Sequence, residues 1–183
     1  MKSLAAKVAP AAALLSSNTT SLKHTIAATA LLRHAISFEE FDKSVVDEIV
    51  MCLDDREDIA REVAAVKDSL DKEYVDANES FGTGCSNPGS FQGALHAMLT
   101  SNSYAECIRK IARAGGCNCS RANLAGACLG AVYGIGGEHG IPLEWVEKTE
   151  GIHEILLLAL DKVAMPAPAS GPSADSSEDA EMM

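Results

Sequence analysis

The sequence predicts an all-α fold, and three observations carry that expectation. The chain has 183 residues, of which 47% are hydrophobic but only 4% aromatic. A composition this rich in Ala, Leu, Gly and Ser suits closely packed helices and lacks the branched and aromatic residues that a β-sandwich needs. Apolar residues recur at three- and four-residue spacing over most of the length, and Gly, Pro and small polar clusters interrupt that rhythm where helices should stop. One domain with an aliphatic core is expected over residues 1–164, since a chain of this length buries enough surface to fold alone.

The elements follow in order. Residues 4–15 are apolar but contain Pro10, which predicts either one kinked helix or a frayed turn before a short one. Over residues 20–36, Leu22, Ile26, Thr29, Ala30 and Arg33 fall in helical register with small residues between them, as in a buried helix. Ser37 and Glu40 have the spacing of a capping box, and Phe38, Phe41, Val45, Ile49 and Leu53 repeat behind them, predicting a helix over 38–53. Another is predicted from about Asp54 to about Tyr74. Asp55, Glu57 and Asp58 stand at its positive end, and Ile59, Val63, Val66 and Leu70 form its stripe.

Over residues 75–88 the periodicity stops, and Gly82, Gly84, Asn87 and Pro88 predict a structured loop. Helical spacing returns at Phe91, Leu95, Met98 and Leu99. It returns again at Tyr104, Cys107, Ile108 and Ile111, with Ser101 or Ser103 as the cap and Gly115-Gly116 as the stop. The following helix, through Tyr133, carries Ala122, Gly126, Gly130 and Gly134 at four-residue spacing, a face without bulk that lets a neighbouring backbone come close. Pro142 opens a short helix containing Trp145, and a last helix covers residues 152–163. Residues 165–183 are Pro, Ala, Ser and acidic residues, which predicts a disordered acidic tail.

A formal charge of -11 argues against binding to duplex nucleic acid, which takes a basic face. The longest weakly polar stretch, 124–137, is broken by glycines and short of the roughly 20 residues that cross a bilayer, so no membrane span is expected. The six cysteines lack the regular framework of a small secreted scaffold, so a reducing compartment, the cytoplasm, is the default. Residues 1–38 contain Lys2, Lys7, Lys23 and Arg33 and no acidic residue, which suits an organellar transit peptide as the alternative.

Three places carry candidate chemistry. Gly115-Gly116-Cys117-Asn118-Cys119-Ser120 is a tight turn opening a helix, whose free N–H groups suit an anion and whose two thiols suit a soft metal or redox chemistry. A closed zinc site needs four ligands, and no second paired motif supplies them, so taken alone these read as structural thiols. The loop around Gly82, Gly84 and Cys85 permits close approach of backbone to a ligand, without the context of a dinucleotide fingerprint or a Walker lysine. His96, flanked by Leu95 and Met98, reads as a hydrogen-bonded core histidine.

Together the runs 87–96 (NPGSFQGALH), 112–122 (ARAGGCNCSRA), 126–134 (GACLGAVYG) and 141–145 (IPLEW) resemble the C-terminal half of the ADP-ribosylglycohydrolase family, crystallin-like members included. The resemblance extends with weaker matches to almost everything before the tail. It implies a compact, orthogonal all-α domain beside a binuclear magnesium or manganese site that cleaves the glycosidic bond of ADP-ribose to a protein side chain or small acceptor. In that family the turn reads Gly-Gly-Asp-x-Asp followed by Thr or Ser, and both carboxylates and the hydroxyl ligate metal. Here the matching positions are Cys117, Cys119 and Ser120, so only the hydroxyl is kept. Magnesium prefers hard oxygen ligands, and exchanging two carboxylates for thiols removes charge and ligand type together.

The family's other metal cluster, a Thr-Asp-Asp motif, belongs to an N-terminal half that has no counterpart in these 183 residues, and Asp54-Asp55 does not replace it. The expectation is therefore a truncated, degenerate relative without hydrolytic activity of its own. ADP-ribose or an ADP-ribosylated acceptor is the expected partner, with Gly82, Gly84, Cys85 and Asn118 lining the cleft. The alternatives are a hydrolase completed by another polypeptide and a non-enzymatic module, either binding ADP-ribose or purely structural.

Overall fold

The computed structural model describes residues 4–38, 41–51, 53 and 57–164. The expected tail at 165–183, Glu40 of the expected capping box, Asp54 and Asp55 lie outside the described residues. Among those described, ten helices and no strand are found, so the fold is all-α. Backbone contacts divide the chain into two units, residues 1–143 and 144–183.

In the first unit, α1 (Leu4–Ala13) is one helix with Pro10 inside it. It packs on α2 (Thr19–Phe38), which also meets α3 (Lys43–Met51) and α4 (Glu57–Lys67). At the centre lies α6 (Gly89–Leu99), in which every residue from Gly89 to Met98 is buried. Around it stand α4, α5 (Tyr74–Phe81), α7 (Tyr104–Arg113) and α8 (Asn118–Tyr133), while α8 also lies along α2 and α7. The core is aliphatic, as the composition requires: Leu31, Ile59, Val66, Leu95, Met98, Ile111 and Leu129 are at most 2% exposed. Each such side chain contributes about 1.5–3 kcal/mol relative to an exposed one.

Local chemistry sets the helix ends. Ser103 caps α7, its hydroxyl accepting from the Glu106 N–H at 3.2 Å. The bare face of α8 is filled by side chains where the sequence predicts a close backbone, because a Cβ on Gly126 would lie 3.3 Å from the Tyr104 hydroxyl oxygen and one on Gly130 3.5 Å from the Ile141 side chain. After Gly134 the chain loops back through one isolated bridge, Ile135 to Ile141, in which the Gly136 N–H donates to the Ile141 carbonyl at 2.8 Å. The second unit, described to residue 164, contains most of α9 (Leu143–Glu147) and all of α10 (Ile152–Ala164). The left-handed Gly151 precedes α10.

Two boundaries depart from the sequence expectation. The helix predicted over 38–53 is α3, which starts at Lys43, while Ser37 lies inside α2. No breaker stops α2 before Phe38, and Asp42 caps α3 instead. Its Oδ1 accepts from the Ser44 N–H at 2.7 Å and the Val45 N–H at 3.3 Å. The helix predicted to reach Tyr74 ends at Lys67, and Tyr74 opens α5 inside the segment predicted as loop. The Ser69 hydroxyl donates to the Val66 carbonyl at 2.8 Å, competing with the helical ladder. The Ser69 carbonyl, which a continuing helix would give to residue 73, accepts from the Lys72 N–H at 3.0 Å and lies 2.8 Å from His96 Nε2.

Candidate functional site

Two short segments meet to build the site: the loop 82–88 between α5 and α6, and the turn 115–117 ahead of α8. Gly115 and Gly116 have φ of +69° and +66°, a conformation that side-chain-bearing residues rarely adopt. A Cβ on Gly116 would sit 2.3 Å from the Thr83 carbonyl oxygen, so the two backbones touch. That contact is made by the Cys117 N–H, which donates to the Thr83 carbonyl at 2.8 Å.

Arg121, one turn into α8 and fully buried, locks the pair. Its Nη1 donates to the Thr83 carbonyl at 3.2 Å. Its Nη2 donates to Asn118 Oδ1 at 3.0 Å and also to the Gly115 carbonyl. One guanidinium therefore serves acceptors of both segments, which its rigid fork allows and a lysine could not. Behind it the packing is tight, since a Cβ on Gly93 would lie 2.7 Å from Arg121 Cδ and 2.6 Å from Asn78 Oδ1. Burial pushes the nearby Tyr74 hydroxyl up to about 12 against the opposing pull of Arg121.

The three residues at the family's ligand positions lie together at the start of α8. Cys117 Sγ is 3.1 Å from Ser120 Oγ and 3.5 Å from Cys119 Sγ. The Cys117 thiol is drawn down to about 7, first by the Ser120 hydroxyl, then by the Ser120 backbone N–H and the Cys119 thiol. Cys85, across in the facing loop, is close enough to add to this pull. A helix N-terminus is a setting that favours thiolate. Cys107 and Cys128 are the contrast: both are fully buried, and burial pushes each thiol up to about 12.

Of the other residues singled out in the sequence, Gly82 ends α5 with φ +102° and donates its N–H to the Asn78 and Glu79 carbonyls. Gly84 and Cys85 lie exposed on the loop. Asn118 is half-buried with its amide engaged inside the turn, Oδ1 by Arg121 and Nδ2 by the Ala112 carbonyl at 3.4 Å. His96 is a core histidine as expected, wholly buried and bonded to Ser69. Thr83 and Arg121 were not visible as site residues. The available signal was a cation one turn after a Gly-Gly turn, where unpaired carbonyls gather.

A recess of about 180 Å³ opens beside the turn, lined by His24, Thr25, Asn87, Ser90, Phe91 and Ser120 among others. His24 is fixed there through both ring nitrogens, at 2.8 Å from the Thr20 carbonyl and 2.8 Å from Glu62 Oε2. A larger groove of about 800 Å³, bordered by Asp42, Asn102 and His139, shares no residue with the turn or with the loop 82–88.

Magnesium or manganese does not fit this donor set. Magnesium demands near-octahedral oxygen coordination, whereas the turn offers two thiols and one hydroxyl, and its one amide oxygen is held by the Arg121 cation. No group of three or more His, Cys, Asp or Glu among the described residues is arranged to hold a metal ion. No helix among them is long and apolar enough to cross a membrane.

Comparison with known proteins agrees with this scaffold. Crystallin J1A of Tripedalia cystophora is 42% identical over 84 residues, a segment that is 46% of this chain and 25% of the relative. Crystallin J1B of the same organism is 36% identical over 91 residues, 50% of this chain and 27% of the relative. The chain thus spans about a quarter of the length of these curated relatives. The family model described as ADP-ribosylglycohydrolase matches residues 2–171, nearly the whole sequence, and the chain belongs to the ADP-ribosylglycohydrolase family.

Proposed function

We propose that this chain recognises ADP-ribose, or an ADP-ribosylated acceptor, at the edge where the loop 82–88 meets the start of α8, and does not hydrolyse it by itself. The observation that carries this reading is a turn whose scaffold is intact and whose ligands are exchanged. Gly116, Thr83 and Arg121 still hold the two segments together, while Cys117 and Cys119 stand where the family has carboxylates. Family hydrolysis relies on metal to activate water and stabilise charge at the departing sugar, and these thiols supply neither.

Recognition needs less. Exposed Gly82 and Gly84 let a ligand approach the backbone. The recess of about 180 Å³ lies below the roughly 300–1,000 Å³ of pockets that enclose whole ligands, so it takes only a sugar-sized part. A purely structural module is the second reading, favoured by the crystallin names of the relatives.

Titration calorimetry with ADP-ribose, with magnesium and with chelator, tests the reading beside an assay for ADP-ribose release from ADP-ribosylated arginine. The expected outcome is heat of binding that is insensitive to magnesium, with no release. Magnesium-dependent release would overturn the non-hydrolytic part, and no binding at millimolar ADP-ribose would leave the structural module.

A further inference from the structure

Five free thiols are described in this chain, and their distribution is uneven. Cys107 and Cys128 are sealed in the core. Cys85, Cys117 and Cys119 gather at the surface where the loop 82–88 faces the start of α8, with Cys85 and Cys119 exposed and Cys117 half-buried between them. Cys117 is the shared member, 3.5 Å from Cys119 within its own turn and beside Cys85 of the facing loop. A disulfide takes its sulfurs to about 2.05 Å, so the nearer pair has about 1.5 Å left to travel. Neither sulfur takes part in the bonds that Arg121 makes to the Thr83 and Gly115 carbonyls.

We infer that Cys117 and Cys119 form a hydroperoxide-reactive dithiol that closes reversibly into a disulfide across the first turn of α8. The Cys117 sulfur attacks one oxygen of the peroxide, an S–O bond forms, the O–O bond breaks, and the leaving hydroxide takes the Cys117 thiol proton to become water. Cys117 is then a sulfenic acid. The Cys119 sulfur attacks it, an S–S bond forms, the S–O bond breaks, and the hydroxyl leaves as a second water with the Cys119 proton. Two thiols and one peroxide thus give one disulfide and two waters, with two electrons passing from sulfur to the peroxide. The same exchange that removed the family's carboxylates supplies this chemistry. Because the inference rests on sulfur placement alone, it stands or falls independently of ADP-ribose recognition.

Peptide mapping of the full chain tests it. The folded protein is treated with hydrogen peroxide, alkylated with iodoacetamide, and digested with trypsin without reduction. Cleavage after Arg113 and Arg121 places Cys117 and Cys119 together in peptide 114–121, while Cys85 falls in peptide 73–109. The expected result is peptide 114–121 lighter by two hydrogens and unalkylated, returning to the doubly alkylated form when the oxidised protein is reduced before alkylation. Three results would overturn the inference: both cysteines alkylated after peroxide, both carried irreversibly to higher acids, or peptide 114–121 linked to 73–109. In Cys119→Ser, Cys117 should become trappable by dimedone as the sulfenic acid, with far-UV circular dichroism confirming the fold. Failure to trap it while Cys117→Ser still traps Cys119 would reverse the assigned order of attack.

Discussion

At the scale of single residues, Arg121 decides whether the site exists. A buried cation is costly unless its donors are met, and here both terminal nitrogens are met, by the Thr83 and Gly115 carbonyls and the Asn118 amide oxygen, while Nε finds no partner among the described residues. Arg121→Ala removes the partner of the Gly115 carbonyl, strips one of two donors from Thr83, and opens a cavity beside Gly93. Those losses should sum to about 3–5 kcal/mol, read as a lower urea midpoint. Arg121→Lys should recover less than half of it, since a point charge cannot serve both segments. The glycine turn and the clustered thiols were legible because both rest on neighbours in sequence. Thr83 and Arg121 were not, because their roles come from a contact between segments 38 residues apart. The bond from Arg121 to Asn118 Oδ1 is hidden in the sequence for the same reason.

The elements repeat that lesson, local signals surviving and long-range ones failing. The small-residue face of α8 has a measurable consequence in Tyr104, whose hydroxyl oxygen lies 3.3 Å from where a Gly126 Cβ would sit. Gly126→Ala should be near neutral, because a gain of about 1 kcal/mol in helix propensity offsets the small shift asked of a side-chain tip. Gly126→Val should cost about 1–3 kcal/mol by overpacking, again read from urea midpoints. Equal effects of the two would mean that α7 does not pack there. Periodicity found α2, α4, α6, α7 and α8 because each presents a stripe or a uniformly buried face. It missed α5, whose buried positions Tyr74, Ala77 and Asn78 include a polar residue that breaks the apolar pattern. It also ran α4 on past Lys67, where the Ser69 and Leu70 N–H groups bond back three residues instead of four and the Ser69 carbonyl meets His96, a histidine 27 residues away.

For the whole molecule, that histidine links the core to pH. His96 is held below its ordinary value of 6.5, chiefly by burial and further by Lys110, while its bond to Ser69 opposes the shift. Below about pH 6.5 the unfolded chain therefore takes up a proton that the folded chain resists. The stability this contributes is fully present above that pH and is lost as pH falls through the folded value. A net charge of -11 acts in the opposite direction, because acidification relieves mutual repulsion among the excess carboxylates. Repulsion is spread over the surface and survives a single substitution, whereas the His96 effect is confined to one ring, so one variant separates them. His96→Gln keeps an N–H donor for the Ser69 carbonyl and removes the titrating group. Between about pH 7.5 and about pH 5.5 the unsubstituted chain should lose more stability in urea unfolding than His96→Gln. Equal losses in the two proteins would assign the acid response to groups other than His96 and leave its role to packing alone.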